Sequence, residues 1–157
     1  MHIVRPGLWL FRVRISYWLA RRLFHWPWLV RQPWGWRWLE RQFSRMATLG
    51  NVDAMGFYGH ILLLRGTGLA ARDEGVRLLR LAAERGNAKA AYQMGAISLA
   101  GSLRSAPDAV AALHWWETAL AAGHPVAAFK LAQLYRQGGP GLAPDLAKAA
   151  HYAAVQG

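Results

Sequence analysis

Gly86-Asn-Ala-Lys-Ala-Ala-Tyr-Gln-Met-Gly95 is the stretch whose register two other segments of the chain repeat. The same glycine, followed by a residue suited to start a helix, recurs at Gly50-Asn51 and at Gly123-His124-Pro125. Four residues past each glycine stands an alanine: Ala54, Ala90 or Ala127. Eight past it stands a matched pair: Tyr58-Gly59, Met94-Gly95 or Leu131-Ala132. A period of 36 to 37 residues marks a stacked repeat chain, which generally holds other molecules rather than enclosing chemistry.

Each unit reads as a helix pair. Glycine suits the left-handed turn that ends a helix, Asn51 and Asn87 suit N-caps, and Pro125 suits a first helical position. The small residues Ala54, Gly59, Ala90, Gly95, Ala127 and Ala132 let a second helix come close to the first. Glycine turns then end the first helix, at 66–69, 101–103 and 138–142. Asp108 and Asp145, each in an Ala-Pro-Asp triplet, cap the second helix. Asp73 and Glu74 are placed at the start of the corresponding helix in the first unit, where the dipole favours acids. The second helices carry apolar faces of Leu78, Leu79, Ala82 and Ala83; of Trp115, Trp116, Ala119 and Leu120; and of Ala149, Tyr152 and Ala153. One such pair cannot bury its own face, so neighbouring units must stack.

Residues 127–135, Ala-Ala-Phe-Lys-Leu-Ala-Gln-Leu-Tyr, are followed by the 138–142 turn and by Asp-Leu-Ala-Lys-Ala-Ala-His-Tyr at 145–152. This unit resembles the Sel1-like repeat, a relative of the tetratricopeptide repeat. The second unit keeps Ala90, Met94-Gly95, Gly101, Asp108, Ala112, Trp115-Trp116 and Gly123, and the first is looser. The resemblance covers 51–157, with units 51–86, 87–123 and 124–157, the last ending short of a full second helix. It implies an all-α, right-handed α/α solenoid of about three helix-pair repeats, used as an adaptor or scaffold, and it implies no reaction and no cofactor.

Charge is concentrated at the other end. Residues 1–46 hold nine arginines, one acid (Glu40) and seven of the nine tryptophans, whereas 47–157 hold ten basic and seven acidic groups. Arg5, Arg12, Arg14, Arg21 and Arg22 interrupt every apolar run, which argues against a signal peptide. Four arginines near a helix centre would cost about 10 kcal/mol or more in a bilayer, against about 4 kcal/mol returned by the nearby aliphatic residues, which argues against a span. Residues 1–33 form a Trp/Arg-rich arm, read as helical over 8–25 with a turn-rich connector over 26–33. Residues 34–50 form an amphipathic helix: Trp36, Leu39, Phe43 and Met46 fall on one stripe, and Arg37, Arg41 and Arg45 on another. That helix is expected to cover the first repeat.

Indole favours the headgroup level of a membrane, and guanidinium binds phosphate with a planar fork. Arg12, Arg14, Trp18, Arg21, Arg22, Trp26 and Trp28 are therefore the candidate contacts with an anionic surface or a partner, placing the protein in the cytoplasm at the membrane's inner face. A second reading gives the same residues to nucleic acid, bases stacking on the indoles. The arm contains no lysine and no nucleic-acid motif, which favours the first reading. A third makes the chain a structural subunit of a larger assembly. On the solenoid, His60, Gln93, Lys130, Gln133 and Arg136 are the candidate protein-binding positions of the first helices.

Catalysis finds little support. There is no cysteine, no ligand-spaced pair among the six histidines, no Gly-x-Ser-x-Gly elbow, and no Lys-Ser/Thr after a glycine turn to hold phosphate. The expectation is a non-enzymatic protein with protein partners, no metal and no small-molecule substrate.

Overall fold

The computed structural model describes residues 18, 19, 22, 33–102 and 104–155. Among them lie seven helices: α1 (Pro33–Thr48), α2 (Val52–Arg65), α3 (Gly68–Glu84), α4 (Ala88–Ala100), α5 (Ala109–Ala121), α6 (Ala127–Gln137) and α7 (Leu146–Ala154). The described residues contain no strand, only an isolated antiparallel bridge between Gly139 and Leu142. Each helix packs chiefly on its chain neighbours, giving the pairs α2–α3, α4–α5 and α6–α7 behind α1. In addition α2 touches α4, and α3 touches α5. First helices thus form one row and second helices another.

The repeated glycine closes each unit in the same way. Gly50, Gly86 and Gly123 have φ of 86°, 88° and 81°, the left-handed region that residues with a Cβ avoid. In each case the next residue's N–H reaches five residues back, as Asn87 N donates to Ala82 O at 2.9 Å, while Gly86 N donates to Ala83 O at 2.9 Å. These paired bonds satisfy carbonyls that a helix end leaves open. The next helix starts at once: Asn51 and Asn87 accept from the N–H groups of Ala54 and Ala90 at 2.8 and 2.9 Å. Asp108 and Asp145 do the same for α5 and α7, each at 2.9 Å.

The small positions bring the helices of a pair together. Gly59 and Gly75 face one another across α2 and α3, and a Cβ on either would lie under 3.0 Å from the other's carbonyl oxygen. Gly95 instead makes room for the Trp116 indole, whose Nε1–H donates to Tyr92 O at 3.1 Å. One buried cluster runs from Ala47 and Met55 through Leu79 and Ala82 to Met94 and Ala119. A second holds Leu113, Trp116, Leu131, Tyr135 and Ala149, and half-buried Tyr92 and Leu120 pack on both. Phe43 and Met46 of α1 are buried, and Arg37, Arg41 and Arg45 are exposed, as a covering helix with a basic outer face requires. Trp36 and Leu39 lie outside the described side chains.

Four local expectations need correction. The 66–69 turn shrinks to Gly66-Thr67: α3 already begins at Gly68, whose φ of 82° turns the chain into the helix a full turn early. Asp73 and Glu74 therefore sit in the second turn of α3 rather than at its start. Glu74 pairs with Arg77 at 2.7 Å, and the guanidinium hydrogen bond holds its carboxyl below the usual range. Pro125 stands ahead of α6, because a turn over 125–126 delays that helix to Ala127 and the Nδ1 of His124 accepts from Val126 N at 3.3 Å. The apolar face of α3 is buried as expected, whereas those of α5 and α7 are narrower. Trp115 and Leu120 are half-buried and Ala153 is exposed, each about 100° around the helix from a more buried neighbour, Trp116, Ala119 or Tyr152.

Tyr152 ties the last two units together. Its hydroxyl donates to Glu117 Oε1 on α5 at 3.0 Å, and its ring stacks on Tyr135 at 5.7 Å. Burial, then the Glu117 hydrogen bond and charge, push its phenol up to about 12. A phenol raised in the folded state binds its proton more tightly there, so the contribution is complete below about pH 10 and lost as pH rises toward about 12. The denaturation midpoint is expected to fall across that window in the native chain, and to fall less in Tyr152→Phe. Equal alkaline slopes would contradict this assignment.

Candidate protein-interaction surfaces

In the first-helix row, α2 and α4 are tied by side chains. Asn87 caps its own helix through Oδ1 and donates through Nδ2 to Asp53 Oδ1 on α2 at 3.0 Å. Nearly two helical turns further along, Gln93 Nε2 lies 2.8 Å from His60 Nδ1. With the amide donating, the imidazole carries its proton on Nε2 and presents a donor. Both side chains are half-buried, and the Gln93 Oε1 atom is buried without a hydrogen-bond partner. A buried polar atom left unpaired costs about 1–3 kcal/mol, so this position is held at some expense to stability.

His60 stands ten residues past its glycine and Gln93 seven past its own, and the offset between successive units brings them face to face. Lys130 and Gln133 occupy the same two register positions on α6 and are half-buried, while Arg136 is exposed one turn on. None of these three side chains has a hydrogen-bond or ion-pair partner among the described residues. The five expected positions thus divide into a joined pair on α2 and α4 and a separate, unpaired trio on α6. The intervening ring pair, Tyr92 and His124, stacks at 4.3 Å and 8° between units. Burial, with nearby Lys89, pushes the His124 imidazole below its usual range.

Of the arm, Arg12, Arg14, Arg21, Trp26 and Trp28 lie outside the described residues. Trp18, Leu19 and Arg22 are helical. Trp18 is 59% exposed, and the Arg22 guanidinium lies over its ring at 5.6 Å from the centroid. No helix among the described residues is long and apolar enough to cross a membrane. The described residues also contain no group of three His, Asp or Glu side chains able to hold a metal.

Two grooves were not anticipated from the sequence. One, of about 660 Å³, lies along the second-helix row between Arg80, His114 and half-buried Trp115. The other, of about 650 Å³, runs between α3 and α4. Its signal in the sequence is a single departure from register: Arg72 stands where the later units have Asp108 and Asp145.

Helix pairs in sequential contact, a shared turn geometry and two rows of like helices define an α/α solenoid of the helix-pair class. The chain belongs to the Sel1 repeat family, whose model matches residues 52–87, 88–124 and 125–154. No curated protein matches the sequence. Among solved structures, it is similar to a Sel1 repeat protein from Oxalobacter formigenes at 34% identity, over 74% of this chain and 89% of that one, with a TM-score of 0.60. It shares the fold of a protective antigen of uropathogenic Escherichia coli strains at 24% identity, over 76% of this chain and 26% of that one, with a TM-score of 0.65. It also shares the fold of a Pseudomonas aeruginosa protein at 22% identity, over 81% of this chain and 47% of that one, with a TM-score of 0.57. Sel1 repeats are non-catalytic interaction repeats that bind protein partners.

Proposed function

We propose that this chain is a non-enzymatic adaptor that holds a protein partner on its first-helix row and docks through its arm to an anionic membrane surface in the cytoplasm. The observation that carries the first half is the His60–Gln93 pair, a polar junction across two units that a well-packed core has no need of. It is continued on α6 by the unpaired side chains of Lys130, Gln133 and Arg136. Support for the second half comes from Arg22 lying over exposed Trp18, which sets a phosphate-binding cation and an interfacial ring side by side.

Flotation with anionic liposomes tests the docking. Each arginine near such a surface contributes about 1 kcal/mol, weakened by salt. Replacing Arg12, Arg14, Arg21 and Arg22 by serine is expected to weaken binding strongly and flatten its salt dependence. Replacing Trp18, Trp26 and Trp28 by serine is expected to weaken binding while leaving that dependence in place. An intact chain that stays in the aqueous fraction at low salt, with no blue shift of its tryptophan emission, contradicts the membrane role. Salt-dependent binding to single-stranded DNA, in place of liposomes, would support the nucleic-acid reading instead.

A further inference from the structure

We infer that the groove between α3 and α4 is a second docking site, fitted to an acidic peptide segment with aliphatic anchors. It is separate from the first-helix positions and from the arm.

The groove follows from the short first connector. Between the second and third units the turn at 138–142 closes down on the start of α5: Ala109 N donates to Pro140 O at 3.1 Å, and Gly139 lies against Ala109. At the equivalent seam between the first and second units, α3 starts early. Its extra first turn stands where the loop after α4 would otherwise settle. There the seam is spanned by an exposed ion pair, Arg104 to Asp73 at 3.1 Å, beside the groove of about 650 Å³.

The lining states what would fit. Half-buried Leu63, Val76 and Ile97 form the floor, and Leu69, 51% exposed, stands at its edge. Arg72, Arg80 and Arg104 stand around it against one acid, Asp73, which Arg104 already engages. Arg72 and Arg80 are exposed and have no ion-pair partner among the described residues. Unpaired guanidinium groups around an aliphatic trough complement carboxylates flanking aliphatic side chains. No aromatic ring lines the trough, so bases have nothing to stack on. A second copy of this chain is disfavoured by a net charge of +11.

The probe is a fluorescein-labelled peptide with two leucines one helical turn apart among glutamates, titrated into the full chain at moderate salt. Binding is expected to fall at least about tenfold in the Arg72→Glu/Arg80→Glu double variant, and several-fold in Leu69→Ser, with melting curves unchanged. The arginine-to-serine arm variant, and a Gln93→Ala/Lys130→Ala variant of the first-helix row, are expected to bind this peptide as the native chain does. Absence of binding overturns the inference. So does binding indifferent to Arg72 and Arg80, or binding abolished by the arm variant alone. Liposome or DNA binding that requires Arg72 and Arg80 while the peptide does not would overturn it as well. Each of these results leaves the adaptor reading to its own tests, since none reports on the first-helix row.

Discussion

Gly95→Leu is expected to lower stability by about 3 kcal/mol or more, a fall in melting temperature on the order of 10 °C. Gly95 lies in the middle of α4, where glycine ordinarily costs about 1 kcal/mol relative to alanine. That cost is accepted because a Cβ there would collide with the Trp116 indole at Nε1 and Cδ1. The indole is itself 3% exposed and fixed by its bond to Tyr92 O. A leucine must therefore push α4 from α5, or displace the ring and leave its N–H unpaired, at about 1–3 kcal/mol for that group alone. Alanine at the same position recovers helix propensity but still meets the ring, and is expected to be destabilising too. A thermal melt followed by circular dichroism reads the effect. An unchanged curve in Gly95→Leu would remove the argument that Gly59, Gly95 and Ala132 are equivalent close-approach positions.

Phe43→Ala is expected to cost about 3–5 kcal/mol. Phe43 is fully buried, and its ring meets that of Phe57 on α2 at 4.7 Å and 55°. A cover helix contributes through such anchors, because the end of a solenoid otherwise exposes an apolar face. Removing the ring opens a cavity between α1 and α2 that flanking alanines such as Ala47 and Ala54 cannot fill. Hydrogen exchange should show α1 amides losing protection first, then those of α2. By contrast Arg41→Ser, on the exposed face, should lie within about 0.5 kcal/mol of the native chain. Equal melting temperatures for Phe43→Ala and the native chain would mean that α1 is not the cover of the stack.

Much of the fold was legible because the repeat writes its punctuation in residues with strict local demands. A left-handed turn calls for glycine, an exposed helix start for Asn or Asp, and a close helix crossing for a missing side chain. Gly86, Asn87, Gly95 and Asp108 each meet one of these demands within a few residues, so their meaning survives without tertiary information. The early start of α3 was not legible in that way. Gly66, Thr67 and Gly68 are compatible with a longer turn, and only packing against α2 and α4 selects the shorter one. Adjacent tryptophans raised a similar ambiguity: Trp115 and Trp116 differ by about 100° around the helix, and either could have faced Gly95.

For the candidate surfaces, the sequence shows which polar residues the first helices carry but not how they meet. His60 and Gln93 read in the sequence only as separate polar positions on first helices. Their hydrogen bond depends on the offset between units, which a periodic sequence does not encode. The α3–α4 groove was missed because its cause, a connector shortened in one unit, becomes visible only beside the closed seam at Ala109 and Pro140. Arg72 in place of an aspartate was the available signal.

Whether the first-helix row holds a protein partner is read by crosslinking capture from a native cell extract with the full chain. Three baits are compared at equal folded concentration: the native chain, a row variant, His60→Ala/Gln93→Ala/Lys130→Glu/Gln133→Ala/Arg136→Glu, and a control variant with the exposed residues Glu84→Gln and Ala150→Ser. A defined protein set is expected to be captured by the native chain, retained by the control and lost by the row variant, with crosslinks mapping to α2, α4 and α6. Identical sets for all three baits, or crosslinks confined to the arm, would contradict it.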